Sequence, residues 1–255
     1  MHNRSMIVLV TGATAGFGAA IARRFVRDGH RVVAAGRRRE RLDALQTELG
    51  DALLPLEVDV RDREKVSRAF SSLPREFAEL DVLVNNAGLA LGLEAAQAAN
   101  LDDWDTMIDT NVKGLAYCSR AVLSGMVARN RGHIVNIGSV AAMYPYPGGN
   151  IYGATKAFVH QFSLNLRADL HGTAVRVTDV QPGMCGGTEF SEVRFHGDAA
   201  RAAKVYEGVQ QPLTAEDIAE TVHWVVNRPA HVNINSVELM PVAQAFNAFK
   251  IDRKA

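Results

Sequence analysis

Two cysteines, Cys118 and Cys185, are all that 255 residues contain. They lie far apart, form no Cys-x-x-Cys pair and have no cluster of His or Cys nearby, which excludes a disulfide scaffold and leaves no zinc pattern. No metal is expected. Cys118 falls in a helical pattern and reads as a small buried hydrophobe, whereas Cys185 declares no role. The eight histidines are scattered: His30, His133 and His231 read as strand edges, and His160 and His171 as helix surface. Net charge is also missing. Twenty-eight basic and twenty-eight acidic side chains cancel, so no global field recruits nucleic acid or an anionic membrane. No apolar run approaches a membrane-spanning length, and the opening MHNRS is too polar and brief for a signal peptide, so the expected location is cytoplasmic. Residues 1–5 read as an extension ahead of a native start at Met6, and residues 6–255 as one domain without repeats, low-complexity tracts or linkers.

A hydrophobic content of 47% in a chain of this length can bury a large core. Seven β-branched runs, MIVLV, HRVVAAG, ALLPLEVDV, DVLVNNAG, GHIVNIGS, AVRVTDVQPG and VNINSVELM, alternate with amphipathic helical stretches. That alternation predicts a doubly wound α/β fold, a seven-stranded parallel sheet with helices on both faces. Ligands bind at the carboxyl edge of such a sheet, so the loops MYPYPGG and GMCGGTEFSEVRFHGDAARA, which follow the fifth and sixth strands, are expected to flank the substrate.

The first strand runs into TGATAGFG and then into a helix. Gly12 permits a sharp turn, Gly16 and Gly18 permit close backbone approach, and the helix N-terminus favours phosphate. The spacing Gly-x-x-x-Gly-x-Gly differs from Gly-x-Gly-x-x-Gly, and no Gly-Lys-Ser/Thr follows to make a P-loop. The second strand ends in AAGRRRER, where an NAD-preferring fold usually carries an acidic residue. Gly36 leaves room there, and Arg37 and Arg38 offer planar forks suited to the 2′-phosphate of NADP.

Tyr152 precedes Lys156 by one helical turn, and Ser139 stands thirteen residues before Tyr152. An ammonium beside a phenol favours the phenolate, so the spacing predicts a Tyr152 pKa drawn down towards working pH, suited to general acid–base chemistry.

In order along Met6 to Met240, these motifs resemble those of the short-chain dehydrogenase/reductase family. The resemblance implies a Rossmann-type domain, NADP(H) as cofactor and oxidoreduction at a CH–OH group. It assigns Gly12, Ala13, Thr14, Ala15, Gly16, Phe17 and Gly18 to the glycine motif, Asp59 and Val60 to the adenine, and the turn Asn85 to Gly88, with Asn86, Ala87 and Gly88, to the cofactor wall. Asn111, Ser139, Tyr152 and Lys156 match the catalytic tetrad, with Asn111 holding a water that relays protons to Lys156. Pro182, Gly183 and Thr188 match the nicotinamide-side loop. The segments VRVTDVQPGMCGGTEFSEVRF and AHVNINSVELMPVAQAF are similar to those of bacterial NADP-dependent 3-hydroxy acid dehydrogenases. That implies short substrates such as serine, allo-threonine or 3-hydroxypropionate and their keto or semialdehyde acids. Reduction of another anionic aldehyde such as sulfoacetaldehyde, of an acyl-carrier thioester, or NADP sensing without turnover remain alternatives. A substrate anion needs a partner, for which Arg194 is the candidate, with Gly186 and Gly187 as backbone donors. Relatives commonly pair helices equivalent to 106–129 and 152–171, which implies a homotetramer, with the tail 243–255 packing on a neighbour.

Overall fold

The structure, a computed structural model, describes residues 4–246. Seven strands form one sheet: β1 (Ile7–Thr11), β2 (Arg31–Gly36), β3 (Leu53–Glu57), β4 (Val82–Asn85), β5 (Gly132–Ile137), β6 (Val175–Pro182) and β7 (Ser236–Leu239). Their order is β3-β2-β1-β4-β5-β6-β7, with every pairing parallel. The fold class expected from the sequence is the one observed. β3, β4 and β7 are several residues shorter than the runs that announce them. The last ladder bond beyond β3 is Val58 N–H to Gly36 O, after which the chain leaves the sheet. Ahead of β7, the Asn233 side chain takes over the ladder, accepting from Val177 N at 2.8 Å and donating to Val177 O at 2.9 Å.

The connections carry α1 (Gly16–Arg27), α2 (Arg39–Leu49), α3 (Arg63–Ser71), α4 (Leu101–Ile108), α5 (Leu115–Ala128), α6 (Asn150–Asp169), α7 (Phe190–Arg194), α8 (Ala199–Lys204) and α9 (Ala215–Val226). Alternation along β1 sorts them into two layers. Val8 and Val10 pack with Ile21 and Phe25 of α1, Leu42 of α2 and Ile218 and Val222 of α9. Ile7 and Leu9 face the other way, towards Phe70 of α3, Cys118 and Met126 of α5 and Leu166 of α6. Each such side chain contributes roughly 1.5–3 kcal/mol on burial, enough to lock the strand register that places the site. Among the described residues no helix is long and apolar enough to cross a membrane.

Helix starts differ in a way that matters. Side chains of Asp62, Asn100 and Thr214 cap α3, α4 and α9, with Thr214 and Asp217 forming a capping box. Helix α1 begins at Ala15 without a side-chain cap and without an acidic residue in its first turn. Its leading N–H groups are thus presented to the carboxyl edge of the sheet.

Candidate active site

A cavity of about 570 Å³ runs along that edge. At its α1 end Gly12 has φ +66°, and a Cβ there would lie 2.9 Å from Ala87 Cα; a Cβ on Gly18 would overlap the Gly12 carbonyl. The Thr11 hydroxyl accepts from Asn86 N and Ala87 N, both at 3.0 Å, while Asn86 Nδ2 donates back to Thr11 O at 2.9 Å and Gly12 O at 3.2 Å. The Asn-Asn-Ala-Gly turn therefore braces the glycine turn. Gly12, Thr14, Ala15, Gly16, Phe17, Asn86, Ala87 and Gly88 line the cavity, while Ala13 and Gly18 are buried behind it. Thr188 closes the opposite side, 3.4 Å from where a Gly16 Cβ would stand.

Arg37 and Arg38 line the far end with Asp59 and Val60. Arg38 donates to the Thr14 hydroxyl at 2.8 and 3.1 Å and to Glu189 at 2.8 Å; Arg41 reaches the other Glu189 oxygen at 2.5 Å. Arg41 and Glu189 escaped the sequence reading. Hydrogen bonds from the two guanidiniums hold the Glu189 carboxyl below its ordinary range. Asp59 is held low in the same way, by Arg61.

At the other end Ser139 opens a short 3₁₀ turn, Val140–Ala142, its hydroxyl accepting from Ala141 N at 3.1 Å and donating to Pro182 O at 3.4 Å. Tyr152 and Lys156 enter from α6, and all three are buried. Lys156 Nζ donates to Ile137 O at 2.8 Å and stands 5.8 Å from the centre of the Tyr152 ring. The expected drop in the phenol pKa is not what this geometry gives. Burial pushes the Tyr152 phenol up to about 12, against the opposing pull of its Ser139 hydrogen bond and the Arg194 charge, and lowers Lys156 to about 8. Desolvation, which penalises both charged forms, outweighs proximity.

Asn111 lies in a π-helical segment, Asp109–Gly114, between α4 and α5. Such a turn often marks a functional position. Its side chain, however, is spent: Oδ1 accepts from Leu89 N at 2.9 Å, and Nδ2 donates to Leu89 O at 2.8 Å and the Thr155 hydroxyl at 3.0 Å. Thr110 rather than Asn111 lines the cavity. The side chain therefore anchors the wall after Gly88.

Over the catalytic end lies a lid. Its neck is closed by Gly186 N–H to Leu213 O at 2.8 Å and Leu213 N–H to Met184 O at 3.0 Å, so the intervening chain with α7 and α8 forms one excursion. This corrects the expectation for Gly186, whose buried N–H is consumed, and for Gly187, which is exposed outside the cavity lining. Pro182 and Gly183 do line the cavity. Arg194 reaches it too: its guanidinium lies 5.3, 5.4 and 5.9 Å from the Tyr152, Phe190 and Tyr146 ring centres, and one amino group donates to Tyr146 Oη at 2.7 Å. Its Nε is buried without a hydrogen-bond partner among the described residues. Tyr146 is the residue the sequence reading missed here; its loop was recognised, but no spacing linked it to Arg194. Cys185 lines the same wall, and burial raises its thiol to about 12, as it does for Cys118. Of the tail, Gln244 Oε1 accepts from Met184 N at 2.7 Å and the Phe246 ring lies tilted against Tyr144 with centroids 4.5 Å apart; residues 247–255 lie outside the described residues.

Among the described residues, Asp28, His30 and His223 bring possible ligand atoms within 4.8 Å of one another. His30 Nδ1 accepts the Met6 N–H at 3.2 Å, so the neutral ring carries its proton on Nε2, the atom facing the group. His223 Nε2 lies 2.7 Å from Asp28 Oδ2, a hydrogen bond, while His30 Nε2 stands 3.6 Å from the same oxygen. His160 corrects another expectation, since it turns inward to Asp179 at 3.0 Å instead of lying on the helix surface.

Comparison with known proteins agrees with this geometry. The short chain dehydrogenase family matches residues 6–198. The NADP-dependent 3-hydroxy acid dehydrogenase YdfG of Salmonella typhi is 64% identical over 248 residues, 97% of this chain and all of that protein. The serine 3-dehydrogenase of Rhizobium radiobacter is 52% identical over 97% of this chain and 98% of its own length. The closed form of a serine dehydrogenase complexed with NADP⁺ superposes with a TM-score of 0.96 at 61% identity, covering 98% of this chain and 100% of that one. With a family model matching residues 6–198 and relatives 52–64% identical over 97% of its length, this chain belongs to the short-chain dehydrogenase family.

Proposed function

We propose that this protein is an NADP-dependent dehydrogenase interconverting short 3-hydroxy acids and their keto or semialdehyde acids. The observation that carries this is Arg194, a cation that lines the same cavity as Ser139 and Tyr152 with its guanidinium 5.3 Å from the Tyr152 ring centre. The names of two similar proteins, a 3-hydroxy acid dehydrogenase and a serine 3-dehydrogenase, favour a hydroxy acid over the sulfonate, acyl-carrier and sensor alternatives.

The residues present fit NADP. Glycines at 12 and 18 clear the space that a Cβ would fill, the uncapped start of α1 suits a diphosphate, and Arg37, Arg38 and Arg41 cluster where a 2′-phosphate would reach. Bound NADPH would supply hydride to the substrate carbonyl carbon, and NADP⁺ would take it back in oxidation. Tyr152 would give its proton to the carbonyl oxygen. With a pKa near 12 the phenol is loaded throughout the physiological range, which suits reduction; oxidation needs that proton to leave first and gains from higher pH. Ser139 would hydrogen-bond the same oxygen as charge develops. Lys156 would hold the ribose hydroxyls and return protons to Tyr152, and Arg194 with Tyr146 would orient the carboxylate. The direct test follows reduced-cofactor absorbance with malonic semialdehyde and NADPH: turnover is expected, and tight NADPH binding without turnover on any short aldehyde acid would reject the reading.

Assembly as a homotetramer is part of the proposal. Val127 and Leu164, on the two helical stretches expected to pair, are both exposed large hydrophobics, and light scattering at micromolar concentration measures the mass.

A further inference from the structure

Beneath the catalytic end lies a buried carboxylate for which the proposed chemistry has no task. Asp179 sits in β6, 1% exposed, between β5 and β7. Its Oδ2 accepts from Gln181 Nε2 at 2.6 Å and lies 3.0 Å from His160 Nδ1, while Oδ1 has no hydrogen-bond partner among the described residues. A carboxylate with one bare oxygen is costly to bury unless positive charge faces it.

The bare oxygen lies against Gly138, the residue before Ser139. Any Cβ at position 138 would overlap Asp179 Oδ1, so Gly138 is the residue that lets the carboxylate approach. Gly138 joins Ile137, whose carbonyl holds Lys156 Nζ at 2.8 Å, to Ser139. Asp179 therefore abuts the one-residue bridge between the Lys156 acceptor and the serine. From α6, Lys156 and His160, one helical turn apart on one face, are the titratable groups that act on it. Gln181 on its own strand is neutral, as are Asn136 of β5 and Ser236 of β7, its partners in register.

We propose that Asp179 is a positioning residue, a fixed buried anion that keeps Lys156 in its ammonium form and braces the Ile137–Ser139 bridge, with the half-buried His160 as its partner towards solvent. This rests on the reading of Lys156 as the proton-returning residue. Burial draws protons off Lys156, and the Asp179 charge opposes that loss. Burial also raises the Asp179 carboxyl, which the hydrogen bonds of Gln181 and His160 and the charge of Lys156 resist. Each ion makes the other affordable.

The test is the pH profile of kcat/KM for NADPH-dependent reduction of malonic semialdehyde. A negative charge raises the pKa of a nearby cation, so removing it lets Lys156 lose its proton at lower pH. Asp179→Asn should shift the alkaline limb acidward by about one pH unit, with the cooperative melt preserved. A limb that does not move, including one accompanied by an equal loss of activity at every pH, overturns the proposal. Should Asp179→Asn not fold, carboxyl carbon NMR on the unmodified protein decides: Asp179 is expected ionised from pH 6 to 9, and a protonated Asp179 at pH 7 overturns the proposal. Lys156→Met separates the two readings. If it retains more than about a tenth of kcat, the role of Lys156 fails; if it is inactive while the Asp179→Asn limb stays put, only the Asp179 proposal fails.

Discussion

Ser139, Tyr152 and Lys156 hang from β5 and the 20-residue α6 and are at most 9% exposed, whereas Arg38, Arg41 and Glu189, which tie down the lid, are 35–48% exposed. The floor is held by strand register and core packing. The lid is held by a closed neck, a few ion pairs and aromatic contacts to Arg194. Interactions of the first kind resist solvent and salt; those of the second are individually worth about 1 kcal/mol or less. On the proposed function, chemistry would sit where geometry is fixed, and selection of the substrate on the more exposed lid.

Breaking the floor should cost most. Tyr152→Phe deletes the transferable proton and little packing, so kcat should fall about 10²–10⁴-fold while NADPH affinity, measured by fluorescence titration, stays near that of the parent enzyme. Retention of more than about a tenth of kcat would remove Tyr152 from its role. The pH dependence should follow Lys156: reduction is expected to decline as pH rises through about 8, where the buried ammonium loses its proton.

The cofactor arm comes next. Replacing Arg37 and Arg38 together by Ala should raise KM for NADPH far more than for NADH, because each charge-assisted phosphate contact is worth roughly 1.5–3 kcal/mol. An unchanged NADPH/NADH preference would sink the 2′-phosphate assignment.

The floor was legible in the sequence because its parts are local. Gly12 to Gly18, the Asn-Asn-Ala-Gly turn and the Tyr152–Lys156 pair each act within one turn, so residue type and spacing state the geometry. The lid was not, because its contacts close over long separations: Arg41 meets Glu189 across 148 residues and Arg194 meets Tyr146 across 48. Arg194 could be singled out only as a cation in a glycine-rich loop. Burial is the other quantity that spacing does not carry. Tyr152 and Lys156 are where the i, i+4 rule puts them, yet desolvation moves the phenol pKa opposite to the direction proximity alone suggests.

Arg194 joins lid to floor, and its effect should depend on the substrate. Arg194→Ala is expected to lower kcat/KM for 3-hydroxypropionate or serine by about 2–4 kcal/mol and to leave neutral aldehydes nearly untouched, since only an anion leaves the lost guanidinium uncompensated. Equal losses on both would reassign Arg194 to lid closure.

The smallest expected effect tests the lid at its tie to Arg38 and Arg41, the cations also proposed for the 2′-phosphate. Glu189 bridges Arg38 and Arg41 from the residue before α7, so Glu189→Gln should loosen closure without touching the floor. Both partners are about half exposed, which limits the loss to about 1 kcal/mol, or roughly fivefold faster NADP⁺ release in a stopped-flow experiment. Salt should produce the same change in the parent enzyme and little further change in the variant, because screening acts on the charge already removed. Because the Glu189 pKa is depressed in the folded protein, its contribution is complete above the ordinary glutamate range and is lost only as pH falls through the lowered value. Release rates should thus be flat between pH 6 and 8 as far as this pair is concerned. Faster release together with a large loss of kcat for the chemical step would show that lid and floor are not separable, and the contrast between them would have to be abandoned.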